Sequence, residues 1–389
     1  MNWIVCQIGA REHYAIPRAL AGQRALEALI TDFWVPPGSV ISRMPRLADR
    51  FHPELTDAKI WVSNGRFLAF EIRQRFTKRS GWPVILERNR LFQKRTLQTL
   101  RRIESRMPGS GAPTLFSYSY AARDLFRFAK ERGWTTVLGQ IDPGPEEERI
   151  VAEEHRRYPS LGSRWQPAPA SYWDSWREEV ELADRIVVNS QWSKECLLKE
   201  SVPEAKMEVV SLVFQKNEPE NAEMPKSEER RKSQGFRLLF LGQINLRKGI
   251  GRLLDAMRML RDEPVELTLV GPCEIDPAAW SDLPKVRWVG PVPRGEVARY
   301  YQDADVFILP TLSDGYALTQ LESLSHDLPV IASRHCGEVV RHGANGWILE
   351  NLEPDFLARA ILRATQQRLS GNNNSSEFDF EKLGMLLCK

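Results

Sequence analysis

Val306-Phe307-Ile308-Leu309-Pro310-Thr311-Leu312-Ser313-Asp314-Gly315-Tyr316-Ala317-Leu318-Thr319-Gln320-Leu321-Glu322 decides how this chain is read. The four apolar residues ahead of Pro310 have the length and flanks of a buried strand. The loop that follows places an acid, Asp314, directly before Gly315, and the helical pattern after it carries a second acid, Glu322. A strand–loop–helix junction leaves backbone N–H groups unpaired at the helix start. Those donors and the helix dipole together favour an anion such as phosphate. Carboxylates on either side of the loop suit hydrogen bonds from sugar hydroxyls. Local alternatives stand beside this reading. Thr319 to Glu322 also fits a capping box, and Asp before Gly is an ordinary turn.

The alternation extends in both directions from this stretch. Upstream lie strands over 236–241, 265–270 and 286–289 and helices over 250–260 and 295–302; downstream lie a helix over 318–325 and a strand over 329–332. The first half alternates independently. Strands are expected over 3–8, 114–120, 135–139 and 185–189, and helices over 15–29, 121–132 and 145–157. Such alternation implies parallel sheets covered on both faces, with ligands at the carboxyl ends of the strands. Residues 215–235 are polar, charged and almost free of large apolar side chains, and they read as a linker between domains over 1–214 and 236–370. Residues 371–389 read as a flexible tail with a short terminal helix.

The totals bound the function. The chain has 389 residues, enough for two domains, with 42% apolar and 27% charged residues, as in a soluble enzyme. A net charge of +3 is too small to argue for nucleic acid. Five scattered cysteines with no C-x-x-C spacing suit a reducing compartment and offer no metal framework. No apolar run is long enough to span a bilayer, and the first residues lack the basic region and apolar run of a signal peptide. A cytoplasmic location is expected.

A second strand–turn–helix junction precedes the first: Leu239-Phe240-Leu241-Gly242-Gln243-Ile244-Asn245-Leu246-Arg247-Lys248-Gly249. It sets two adjacent cations where a helix begins. Each alone reads more readily as a solvated loop charge, but the pairing with the 314–322 loop favours a joint anion site.

These residues carry a resemblance. Asp314-Gly315-Tyr316-Ala317 with Glu322 is similar to the E-G-F-G…E signature of retaining glycosyltransferases of family 4, which have the GT-B fold. The 242–249 stretch resembles that family's G-R-L-x-x-x-K-G phosphate clamp. Here Asp stands for the first Glu, Ala317 for the second Gly, and Gln243 for the Arg. The resemblance covers most of residues 236–350. It implies an α/β chain of two Rossmann-like parallel-sheet domains facing a central cleft. It also implies a nucleotide-sugar donor (UDP-, GDP- or ADP-sugar) and no metal or other cofactor. By this resemblance Lys248 holds the diphosphate, with Gly242 and Gln243 beside it; Arg247 substitutes for the missing Arg if its side chain turns into the cleft. Asp314 holds the sugar, Gly315, Tyr316, Ala317 and Leu318 line the phosphate side, and Glu322 holds the ribose. Transfer to a hydroxyl of a glycan, lipid-linked or small-molecule acceptor follows, with retention. A sugar-nucleotide epimerase or phosphorylase, and a binding protein that has lost catalysis, are the rival readings.

The first half offers weaker candidates. Many family members carry a His after the strand over 135–139, where this chain has Gln140 and Asp142. Either is an acceptor-side candidate, and so is His13 after the first strand, although a lone loop His is more often a surface residue. Asp303-Ala304-Asp305 is formally a D-x-D motif, read as structural because Asp305 opens a strand. Residues 73–106 hold Arg73, Arg75, Lys78, Arg79, Arg88, Arg90, Lys94, Arg95, Arg101, Arg102 and Arg106. Leu97, Leu100, Ile103 and Met107 recur among them at helical spacing. A basic amphipathic helix can dock peripherally on anionic lipid to reach a lipid-linked acceptor; the preferred reading is a solvated outer face.

Overall fold

The computed structural model describes residues 2–388 except 40, 41, 43, 45, 46, 48, 107–110, 162–164, 215–234, 368 and 372–379. The expected linker over 215–235, apart from Gly235, and most of the tail's polar stretch lie outside the described residues.

Strands rich in Val, Ile, Leu and Phe build two parallel sheets. The first holds β1 (Trp3–Gln7), β2 (Leu26–Thr31), β3 (Ile60–Val62), β4 (Thr114–Tyr118), β5 (Thr135–Gln140), β6 (Arg185–Val188) and β7 (Met207–Val209), in the order β3-β2-β1-β4-β5-β6-β7. Its helices are α1 (Ala15–Gly22), α2 (Asn64–Thr77), α3 (Trp82–Glu104), α4 (Arg123–Lys130), α5 (Pro145–Arg157), α6 (Ala170–Leu182) and α7 (Gln191–Lys199). The second sheet holds β8 (Phe236–Leu241), β9 (Val265–Val270), β10 (Val286–Gly290), β11 (Val306–Leu309), β12 (Val330–Ser333) and β13 (Gly346–Leu349), in the order β10-β9-β8-β11-β12-β13. With it come α8 (Ile250–Met259), α9 (Val297–Asp303), α10 (Thr319–Ser325), α11 (Pro354–Gln366) and α12 (Phe380–Leu387). Both sheets reverse strand order beside their first strand, between β1 and β4 and between β8 and β11. Two doubly wound Rossmann-like domains result, as the alternation implies.

Alternate residues of the first sheet feed two cores. Ile4, Cys6, Leu115 and Leu138 face one side, and Val5, Phe116 and Val137 face the other. The segment over 15–29 is not one helix. It ends at Gly22, turns through Arg24 at φ 55, and re-enters the sheet as β2. Its apolar content alone cannot separate a helix from a buried strand, and the left-handed turn at Arg24 marks the break.

Two features hold the domains against each other. α12 returns to the first domain and packs on α1, where a Cβ on Gly384 would lie 2.9 Å from the Ala19 carbonyl oxygen. This eight-residue helix docks through Leu383 and Leu387 in the first-domain core, with Gly384 between them against α1. α5 lies along the second domain. Arg252 Nη2 is 2.7 Å from the buried Glu154 carboxylate, and the Tyr158 hydroxyl donates to Asp255 Oδ2 at 2.7 Å. Asp305 is committed to Arg237, which it meets at 2.8 Å beside β8, so the D-x-D stretch serves the sheet.

Candidate active site

Glycine sets the geometry where β8 and β11 end. Gly249 has φ 75, and a Cβ there would lie 1.9 Å from the Pro310 carbonyl oxygen. Only glycine lets the loop after β8 press on the loop after β11. The backbone locks the two together through Leu312 N–H to the Arg247 carbonyl at 2.9 Å. Lys248 is oriented by its own N–H, which donates to Asn245 Oδ1 at 3.1 Å. The Lys248 ammonium consequently pairs directly with the Asp314 carboxylate. Arg247 Nη1 donates to the Ser313 carbonyl at 3.0 Å and lies 3.7 Å from Asp314 Oδ2. The two cations and the acid therefore form one cluster within the second domain.

The opposite wall of the cleft reaches into this cluster. Glu147, in the first turn of α5, places Oε2 3.6 Å from Arg247 Nη1. That oxygen is shielded from solvent and accepts no hydrogen bond. Burial pushes the Glu147 carboxyl up to about 7, against the pull of Arg247. Burial, with the adjacent Arg247, pushes the Lys248 ammonium down to about 7. The Asp314 carboxylate that Lys248 touches acts in the opposite sense. Sequence reasoning missed Glu147 because Glu146, Glu147 and Glu148 behind Pro145 look like an ordinary acid-rich helix start.

Gly315 is also a contact between the domains. A Cβ there would lie 2.1 Å from the Ile141 carbonyl oxygen and 2.9 Å from Asn189 Nδ2. Trp192 Nε1 donates to Ser313 Oγ at 3.2 Å, and its ring stacks on His335 with centroids 4.3 Å apart. Tyr316 is buried, and its carbonyl accepts from Gly337 N–H at 3.0 Å. Ala317 sits at φ 65, a left-handed conformation that glycine adopts without steric cost. Leu318 precedes α10 without a capping side chain.

Glu322 does not close a capping box. Its carboxylate accepts from the Tyr301 hydroxyl at 3.0 Å, and burial raises its pKa. Among the described residues no salt bridge joins it to the Asp314 cluster, so the two acids serve separate ends of the loop and helix. Gly242 follows β8 at φ 145, and Gln243 beside it is exposed.

The first-domain candidates are spread over two places. Gln140 is buried and spent: Nε2 donates to the Asp142 carbonyl at 3.0 Å, and Oε1 accepts from Trp176 at 3.0 Å. Asp142 accepts from the Tyr120 hydroxyl and from Gly144 N–H, the latter at 2.9 Å. It borders a cavity of about 210 Å³ that Arg11, Arg88, Phe92, Tyr120 and Tyr172 also line. His13 lies elsewhere. Its Nδ1 meets Arg294 Nη1 of the second domain at 3.1 Å, and burial together with that guanidinium pushes its pKa down to about 4. A neutral ring accepts the guanidinium proton there. Glu12, His13 and Tyr14 have φ 51, 53 and 61, three successive left-handed residues without a glycine. No group of three or more His, Cys, Asp or Glu among the described residues is placed to hold a metal ion.

Comparison with known proteins places the fold. HepE of Anabaena in complex with UDP superimposes with a TM-score of 0.60 at 14% identity, over 100% of this chain and 98% of that one. The sucrose-phosphate synthase of Thermosynechococcus elongatus does so at 0.62 and 17%, with the same coverage. The architecture is GT-B. Residues 235–367 match the family model of glycosyl transferases group 1. The amylovoran biosynthesis glycosyltransferase AmsK of Erwinia amylovora is 30% identical over 149 residues, 34% of this chain and 37% of that protein. The D-inositol 3-phosphate glycosyltransferase of Thermobifida fusca is 30% identical over 145 residues, 32% of this chain and 33% of that protein. The chain thus matches about a third of the length of these relatives. No helix among the described residues is long and apolar enough to cross a membrane.

Proposed function

We propose that the chain is a nucleotide-sugar-dependent glycosyltransferase of the hexosyltransferase type, acting on a hydroxyl acceptor with retention. The observation that supports this best is the Arg247–Lys248–Asp314 cluster. It combines two cations with an acid at the reversal of strand order, inside the segment that matches the group 1 model. Fixed cations meet the charge that develops on a departing diphosphate, and charge-assisted hydrogen bonds contribute about 1.5–3 kcal/mol each. Lys248 and Arg247 take this role, so the reading calls for no metal ion. Donor binding would exchange the Lys248–Asp314 pair for two bonds to the donor, diphosphate to Lys248 and sugar hydroxyl to Asp314. Glu322 would take the ribose hydroxyls.

In the reaction the bond between the anomeric carbon and the phosphate oxygen breaks. The acceptor oxygen bonds to that carbon on the same face, and the acceptor proton passes to the departing diphosphate. The acceptor would approach from the first domain, past Asp142 and the cavity beside it.

A thermal-shift panel of UDP, GDP, ADP and their sugars, followed by turnover with the best ligand, tests the reading. Because HepE is described in complex with UDP and with UDP-glucose, the uridine pair is the first choice. Stabilisation by a nucleotide sugar with release of free nucleotide supports the enzyme. Binding without turnover for any acceptor offered would leave a binding protein, and interconversion of the sugar without transfer would leave an epimerase.

A further inference from the structure

The basic segment contains an apolar face, but not where the helical spacing over 97–107 predicts it. Leu100 and Ile103 of α3 are buried in the core of the first domain, and Met107 lies outside the described residues. The uncovered face belongs to α2. Phe67, Phe70 and Gln74 point into the protein. Gly65, Ala69, Ile72 and Phe76 fall on a different face of the same helix, and all four are exposed. Phe76 is 85% exposed and Ile72 45%, with Val62 just ahead of the helix at 41%. An exposed stripe of this kind on an otherwise well-packed domain marks a contact surface.

Its charge says what covers it. Arg66, Arg73, Arg75, Lys78 and Arg79 surround the stripe, all exposed. Glu87 pairs with Arg73, and Glu71 with Arg88. Among the described residues no salt bridge engages Arg66, Arg75, Lys78 or Arg79. A second copy of the same face would bring these cations against themselves, which disfavours a two-fold dimer. An anionic bilayer satisfies both parts, apolar side chains entering the acyl boundary and cations meeting headgroups.

We propose that α2 and the turn that follows it dock on an anionic membrane surface, and that the acceptor is a sugar carried by a lipid that stays in that membrane. The second half rests on the glycosyltransferase reading; the first does not. The geometry joins them. Ile85 of α3 is 42% exposed close beyond the turn, and it also lines the cavity of about 210 Å³ with Arg88, Phe92 and Asp142. The acceptor-side cavity is thus lined by an exposed apolar residue in the first turn of the helix that directly follows the docking helix. Arg11, and Arg88 in exchange for its pair with Glu71, would supply cations for the phosphate of a lipid-linked sugar.

The test is flotation of the full chain with vesicles of phosphatidylcholine, with and without phosphatidylglycerol. The chain is expected to float only with the anionic vesicles, and to be released at roughly 0.5 M salt. Ile72→Ser/Phe76→Ser should lower vesicle partitioning about tenfold or more, since both apolar anchors are lost. Its melting temperature and nucleotide affinity should not change, because both side chains are in solvent. Lys78→Glu/Arg79→Glu should do the same through charge. Wild type that ignores anionic vesicles, or a serine variant that binds them equally, overturns the docking. So does a wild-type dimer that the serine variant turns into monomer, since a second copy would then be the occupant. With docking intact, transfer to a water-soluble sugar as fast as to a vesicle-borne one overturns the acceptor assignment. Failure of every donor to turn over would sink the glycosyltransferase reading and leave the flotation result standing.

Discussion

The carboxyl ends of β8 and β11 and those of β1, β4 and β5 hold equivalent places in two sheets of the same kind, yet they are built from opposite materials. In the second domain the loops carry two cations and an acid, fixed by Gly249 and paired mainly with one another. In the first domain the polar groups are consumed internally. Gln140, Tyr120 and Asp142 satisfy each other, Tyr120 stacks on Tyr172 with centroids 4.6 Å apart, and three left-handed residues follow β1. A cluster whose ion pair a ligand can replace suits a multiply charged diphosphate. A wall whose polar groups are already oriented by one another suits a polyol, which needs direction, while Arg11 and Arg88 at its edge carry the positive charge that the acceptor's own phosphate would need. The contrast supports the proposal that the donor takes one side and the acceptor the other.

Removing a cation should break the contrast most severely. Lys248→Ala is expected to weaken donor binding about tenfold to a hundredfold, the equivalent of one charge-assisted bond. It also leaves Asp314 without its direct partner, so melting should be followed alongside titration calorimetry with the nucleotide sugar. Asp142→Asn on the first-domain side should leave nucleotide affinity unchanged and act on the acceptor KM. Equal losses of nucleotide affinity in both variants would remove the division of labour.

The next test concerns what joins the two sides. Gly315→Ala adds a methyl where the Ile141 carbonyl stands 2.1 Å away, so the domains must part to admit it. Turnover should fall about tenfold while free nucleotide still binds, because closure assembles the site rather than the nucleotide pocket. Unchanged kcat with the alanine would show that this contact is not part of the working state.

The unequal legibility of the two sites has the same physical source. The second site lies in local sequence: strand, turn, glycine and charge follow one another, and Lys248 and Asp314 sit in loops after neighbouring strands. Glu147 and the Trp192–His335 stack come from packing between domains, and nothing near Glu147 in sequence separates it from Glu146 or Glu148. The capping-box reading of Thr319 to Glu322 failed because Tyr301, distant in sequence, offers the carboxylate a better donor. β2 was hidden inside an apolar run that also fits a helix. The exposed stripe of α2 escaped notice because apolar spacing shows that a face exists, not whether it is covered.

A smaller effect comes from pH. Burial holds the Lys248 ammonium below its usual range and the Glu147 carboxyl above its own, so a rise in pH past neutrality takes a proton from each. Both changes make the cluster more negative, so affinity for an anionic donor should fall between about pH 6 and about pH 8, by roughly threefold to tenfold. Glu147→Gln removes one of the two steps and should flatten the profile without abolishing it. A wild-type affinity that climbs over this range would contradict the protonation states given to the pair.

The smallest expected effect is at Ala317, and it bears on how each domain tolerates left-handed backbone. At φ 65 an alanine carries a steric cost of about 1–2 kcal/mol that glycine does not. Glycine in turn loses roughly 0.5–1 kcal/mol through the greater freedom of the unfolded chain. Ala317→Gly should therefore stabilise by between about 0 and about 1.5 kcal/mol, a rise in melting temperature of a few degrees at most. A lower melting temperature would mean that the methyl, which packs against the second-domain core, contributes more than the strain costs. His13→Gly in the first domain relieves similar strain but removes the ring that meets Arg294 across the cleft. There the expected gain in backbone freedom is offset by a lost contact between domains. Stabilisation at 317 with none at 13 would show that left-handed geometry is incidental in the loop after β11 and tied to domain closure in the loop after β1.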